Sequence, residues 1–169
     1  DIKTPEKKEF IYDSRNILKN IIKRCNHKGY VPYIGTECEF YLFKTDENGE
    51  ATYITHDKGG YFDIAPIDKG ENIRREICLC LEEMYIKPET SHHEQGPGQN
   101  EIDFKYSDSL NAADNFLTFK SMVKAIAGRA GLYASFMPKP LSNKSGNGLH
   151  INISLNKNEE LQISKSKQY

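Results

Sequence analysis

The sequence predicts an α+β domain built on a mostly antiparallel sheet. Three observations lead there. Apolar residues recur with period two in some segments and near 3.6 in others. The strand-like segments are joined both by tight turns and by helices. The 169 residues suffice for one domain with a real core, and they show no repeat, low-complexity tract or strong internal boundary.

Residues 1–12 (DIKTPEKKEFIY) are charged and aperiodic and read as a leader or linker stub. Asp13 or Ser14 caps a helix running to about Lys28, with Ile17, Leu18, Ile21, Ile22 and Cys25 on one expected buried face and Gly29 as its stop. YIGTECEFYLF (33–43) alternates as a strand. Ile34, Thr36, Cys38, Phe40 and Leu42 form its core face, and Glu37 and Glu39 lie on the opposite one. TDENGEATY (45–53) is a polar loop or hairpin tip. A helix is expected from Asp68 to Met84, burying Ile73, Ile77, Cys80 or Leu81, and Met84. A strand reaching Glu94, a Gly-Pro-Gly turn (96–98) and a returning strand from Gln99 to Tyr106 follow. The helix expected over 109–130 turns Leu110, Ala113, Phe116, Leu117, Val123, Ile126 and Ala127 inward, and Gly131 ends it. LYASFM (132–137) and LHINISL (149–155) read as strands around a Gly/Asn/Ser loop (139–148). A truncated C-terminal segment, 157–169, closes the chain.

Charge and composition exclude several classes of protein. Lys and Arg number 23 against 24 Asp and Glu, which argues against a chain built to coat nucleic acid or an anionic membrane. No apolar run approaches the roughly 18–20 residues of a membrane helix, and no secretory signal opens the chain. Cys25, Cys38, Cys78 and Cys80 are too few for a disulfide scaffold and lack paired zinc spacing, so a reducing, cytoplasmic setting is expected.

Three constellations could carry chemistry. Glu37 and Glu39 share a strand face, about 6.5–7 Å apart at a rise of about 3.3 Å per residue. They are either a solvated open face or a pair of ligands. A hairpin centred between Pro97 and Gly98 sets Glu94 directly opposite Glu101, and like charges there repel unless a cation lies between them. A register slipped by one or two residues, leaving Glu101 merely exposed, is the alternative. The loop Ser145-Gly146-Asn147-Gly148 permits close approach of a ligand to the backbone, and His150, Asn152 and Ser154 share the polar face of the last strand. Four Glu and one His on the faces of one sheet suit Mg²⁺ or Mn²⁺ better than structural zinc. Two such ions bracketing phosphate oxygens serve phosphoryl transfer.

The blocks GTECEF (35–40), GGYFD (59–63), ETSHHEQGPGQNEIDF (89–104), FKSMVK (119–124), FMPKP (136–140) and SGNGLH (145–150) occur in the order found in type I glutamine synthetases. Over about residues 13–156 the chain resembles part of that family's catalytic domain. The resemblance implies ATP-dependent ligation of ammonia to glutamate through γ-glutamyl phosphate, with Mg²⁺ or Mn²⁺ at two sites. Glu39, Glu94 and Glu101 match one metal site. Glu37 and His150 match the second, which in the family takes a further glutamate from later in the chain. Glu89, Tyr106, Asn152 and Ser154 match the nucleotide side, Gly146 and Ser145 the glutamate side, and Tyr61 with Glu94 the ammonium pocket. His92 and His93 are read as neighbours that shape the strand. Asn152 stands where the family commonly has a histidine, and Ser145 where many members have asparagine. A γ-glutamyl–amine ligase and a non-catalytic relative are the alternatives. The resemblance further implies a homo-oligomer of stacked rings. The only arginines are Arg15, Arg24, Arg74, Arg75 and Arg129, none of them in the motif-bearing strands or loops, so the chain is expected to be a catalytically silent piece of such an enzyme.

Overall fold

The computed structural model describes residues 1–157 and, as backbone strand, 160–168. The expected C-terminal segment thus lies outside the described residues at 158, 159 and 169. The elements run α1 (Ser14–His27), β1 (Val31–Thr45), β2 (Ala51–Thr55), α2 (Glu71–Glu83), β3 (Pro88–His93), β4 (Gln99–Asp108), α3 (Ser109–Arg129), β5 (Leu132–Ser135), β6 (Leu149–Lys157) and β7 (Glu160–Gln168).

All strand pairs are antiparallel, in the order β3-β4-β1-β6-β7, with β2 and β5 also paired to β1. The 15-residue β1 is the axis of the sheet. Its first two thirds lie between β4 and β6, and its last residues between β2 and β5. The period-two alternation read from the sequence decides what each face does. Cys38, Phe40 and Leu42 pack with Ile102, Phe104 and Ala134 under α2 and α3, which contribute Ile77, Leu81, Phe119, Val123 and Ile126. Phe119 sits at the centre, its ring 5.4 Å from that of Phe104 and 6.2 Å from that of Phe40. Glu37 and Glu39 point to the uncovered side, opposite Asp103 and Glu101 on β4.

The structure corrects several helix faces. Ile17 and Ile21 are exposed, because among the helices and strands α1 packs only on β1 and α3. α2 starts at Glu71, not Asp68; it buries Arg74 and leaves Met84 exposed. On α3 the inward stripe runs Ala112, Phe116, Phe119, Val123, Ile126, in alternating steps of four and three. Leu117 is one residue, or about 100°, off that stripe and is exposed, whereas Phe119 and Met122, which the sequence reading omitted, are buried. β3 ends at His93 and β5 at Ser135, both shorter than expected.

The β3–β4 hairpin also departs from the expected register. His92, not Glu94, faces Glu101, and His93 faces Asn100. The strand pairing is centred one residue earlier, between Gly96 and Pro97, while the turn itself stays on Pro97 and Gly98, with the Gln99 amide donating to the Gly96 carbonyl and Gly98 at φ +68°. A slip of two keeps every side chain on its own face. Glu94 therefore still points to the side of Glu101, but from beyond the end of the strand.

Candidate active site

Glu39 and Glu101 are directly opposed on β1 and β4. Glu94 reaches the same spot from the hairpin turn, and one carboxylate oxygen from each of the three lies within 4.8 Å of the others. Glu101 is buried, 8 % exposed, in contrast to the exposed position that a slipped register implied. A second group of three joins Glu37 and His150, opposed on β1 and β6, to the same Glu101. The sequence reading gave Glu101 to one site alone; the structure puts it within reach of both.

The ligand side chains are held from behind. His150 Nδ1 donates to one Glu37 oxygen and the Asn152 amide to the other, each at 2.7 Å. This leaves His150 Nε2 free of that contact. Gln99, fully buried, donates to Glu39 at 2.6 Å and to the Gly146 carbonyl at 2.9 Å, and its own carbonyl accepts from the Gly96 amide. Tyr41 donates to the Ser145 carbonyl at 2.7 Å. Gln99 and Tyr41 thereby join the glycine loop 145–148 to the turn 96–98. Sequence reading missed both, since an inward Gln or Tyr next to ligands carries no spacing signal of its own.

The electrostatics fit a cation. Among the described residues the carboxylates at Glu37, Glu94 and Glu101 have only His150 and His92 as ion-pair partners. Burial, then Asp103, Glu94 and Glu39, push the Glu101 carboxyl well above the usual range. Burial likewise raises Glu39 and Asp103. Asp103 Oδ1 is buried without a hydrogen-bond partner. Space is also kept open in front of the ligands. A Cβ on Gly148 would sit 2.8 Å from Glu39 Oε1 and 3.3 Å from His150 Nε2. Hard oxygen donors with one imidazole are the set that Mg²⁺ or Mn²⁺ takes.

Beside this cluster lies a cleft of about 520 Å³ lined by Glu37, Glu89, Tyr106, Asn152 and Ser154, together with Gly35, Thr90 and Asp103 among others. It brings together all four residues matched to the nucleotide side. Tyr61 stands edge-on to His92 at 5.8 Å, and His92 lies 3.7 Å from Glu94. Tyr61 itself is exposed. Ser145 and Gly146 lie in the loop at the other end of the cluster, where the Asn147 amide donates to the Pro138 carbonyl.

The chain matches a family model described as glutamine synthetase, catalytic domain, over residues 11–169. It belongs to that family. It is 55 % identical to a glutamine synthetase of Clostridium saccharobutylicum over 155 residues, 92 % of this chain and 35 % of that protein. It is 52 % identical to a glutamine synthetase of Staphylococcus epidermidis over 88 % of this chain and 33 % of that one. A cryo-EM structure of Plasmodium falciparum glutamine synthetase superimposes with a TM-score of 0.83 at 32 % identity, over 95 % of this chain and 37 % of that one. The chain thus spans about a third of the length of the curated relatives it matches. Family membership agrees with the α+β class and mostly antiparallel sheet predicted from the sequence.

Proposed function

We propose that the protein carrying this chain joins ammonia to glutamate, driven by ATP and passing through γ-glutamyl phosphate. The observation that supports this most is the convergence of Glu39, Glu94 and Glu101, with Glu37 and His150 alongside, next to a cleft that Glu37 also lines. Glu39, Glu94 and Glu101 would hold one divalent ion, Mg²⁺ or Mn²⁺, and Glu37, His150 and the shared Glu101 a second. Such ions neutralise phosphate charge and orient the two reactants.

The chain's own residues supply part of the remaining binding and proton-accepting groups. Glu89, Tyr106, Asn152 and Ser154 bind the nucleotide, with the Tyr106 ring as its apolar wall. The Gly146 backbone and Ser145 receive the amino-acid end of glutamate. Glu94 and Tyr61 flank the ammonium ion, and the Glu94 carboxylate accepts the proton that turns it into the nucleophile ammonia. No Lys or Arg lines the cleft among the described residues. Arg15, Arg74 and Arg129 are committed to Asp114, Asp68 and Glu76. Phosphoryl transfer needs such cations. We therefore place turnover in a cytoplasmic homo-oligomer of the whole protein and expect metal binding without turnover from the 169-residue chain alone.

The test is product analysis of the whole protein with ATP, glutamate and Mn²⁺, offered ammonia or a panel of primary amines. Glutamine formed preferentially from ammonia is the expected result. Preferential ligation of an amine would move the assignment to a γ-glutamyl–amine ligase, and no ligation at all would remove the enzymatic reading.

A further inference from the structure

Of the three glutamates at the main cluster, two are fixed by the sheet. Glu39 and Glu101 are register partners. Glu94 is not, because it lies past the end of β3, and its one ladder-like contact is its amide donating to the Gln99 carbonyl at 2.8 Å. Its carboxylate accepts from the adjacent Gln95 amide at 2.9 Å, and its backbone is tied to a more distant part of the chain through His93. Its carbonyl accepts from Nδ1 of the adjacent His93 at 2.6 Å. The other ring nitrogen, Nε2, meets Asp57 Oδ1 at 2.9 Å. Both side chains are sealed from solvent, His93 at 0 % and Asp57 at 1 % exposure. Since both ring partners are acceptors, the ring donates from both nitrogens and the contact is a buried ion pair.

Asp57 does more than hold His93. It accepts from the amide of Gly98 at 2.8 Å in the turn, and from those of Gly59 at 3.0 Å and Lys69 at 3.1 Å in the linker between β2 and α2. That linker carries Tyr61. It is tied a second time by the Phe62 amide donating to the His93 carbonyl, and Phe62 stacks on His92 at 4.6 Å. One buried pair therefore touches the backbone of the Glu94 turn and the backbone of the Tyr61 segment.

We infer that Asp57 and His93 are positioning residues: their buried pair sets where Glu94 stands relative to Glu39 and Glu101, and keeps the Tyr61 segment in step with it. This rests on the metal-site reading given above. A pair that served only general stability would move melting without moving metal affinity. A pair that places a ligand acts on affinity, where losing an outer partner of a metal site costs about ten- to a hundredfold.

The experiment measures the Mn²⁺ dissociation constant of the 169-residue chain by the electron paramagnetic resonance of free Mn²⁺, with a melting curve for each protein. The variants are Asp57→Asn and His93→Gln, with Ile126→Val on the far, helix-covered face as a destabilised control. Expected is a ten- to hundredfold weakening in the first two and an unchanged constant in the control, although its melting temperature also falls. If Asp57→Asn does not fold, His93→Gln, which retains a side-chain donor, gives the same comparison. Unchanged affinity in the folded variants, or equal weakening in the control, overturns the inference. Absence of Mn²⁺ binding by the unaltered chain overturns the metal reading instead, and is read before any variant is made.

Discussion

The two faces of β1 are built from alternate residues of one strand, yet they obey opposite rules. On one face Cys38, Phe40 and Leu42 are buried under α2 and α3, and every neighbour gains from being close. On the other, Glu37 and Glu39 stand among Glu94, Glu101 and Asp103, and closeness is unfavourable until a cation arrives. The first face stores the fold's stability. The second uses part of it to hold like charges together. The difference teaches that burial alone does not tell what a residue does, since Phe119 and Glu101 are both buried and are expected to respond to truncation with opposite signs.

The largest expected effect lies on the apolar face. Phe119→Ala removes the ring that contacts Phe40, Phe104 and Phe136, and should cost about 3–5 kcal/mol in denaturant unfolding, with or without metal. A loss below about 1 kcal/mol would mean that the core does not centre there.

Glu101→Gln on the polar face should do the reverse in metal-free protein, raising stability by about 1 kcal/mol at pH 8, because it removes the cost of keeping a buried carboxyl protonated among like-charged neighbours at a pH where the unfolded chain ionises freely. The pH dependence follows with a definite sign. The folded state holds the Glu101 proton more tightly than the unfolded chain does. Stability of the metal-free protein therefore falls as pH rises from about 4.3, the ordinary Glu value, up through the raised folded one. Melting curves in chelator at several pH values should show a shallower decline for Glu101→Gln than for the unaltered chain. Equal slopes would place the unfavourable charge elsewhere.

The division between the faces was legible in the sequence because period-two alternation over 33–43 needs nothing beyond one strand. The glycine loop and His150 were legible for a similar reason, being local in sequence. The hairpin register was not, since it depends on Gly98 adopting a positive φ and on the Gln99 side chain folding back to the Gly96 amide. His93 was read as a residue that shapes its strand, but Asp57 and its pairing with His93 escaped, because the two meet only after the linker between β2 and α2 closes over the turn. Leu117 was misplaced because apolar residues around α3 outnumber the positions on its inward stripe.

A smaller effect sharpens the same contrast. Burial pushes the Cys38 thiol up to about 12, whereas Cys25 and Cys80 are partly exposed. Alkylation of the native chain at pH 8, followed by peptide mapping, should label Cys38 last, although its chain neighbours Glu37 and Glu39 lie on the open face. Early labelling of Cys38 would show that the helix-covered face opens readily.

The most direct measurement is a melting series in increasing Mn²⁺ for the unaltered chain, Glu101→Gln and His150→Asn. Mn²⁺ bound to the folded state raises the melting temperature by mass action. Because Glu101 stands within reach of both ligand groups, Glu101→Gln should lose most of that rise, and His150→Asn, which leaves Glu39, Glu94 and Glu101 intact, should lose less. Equal stabilisation of all three proteins would mean that the ions bind elsewhere and would contradict the assignment of the polar face as the metal site.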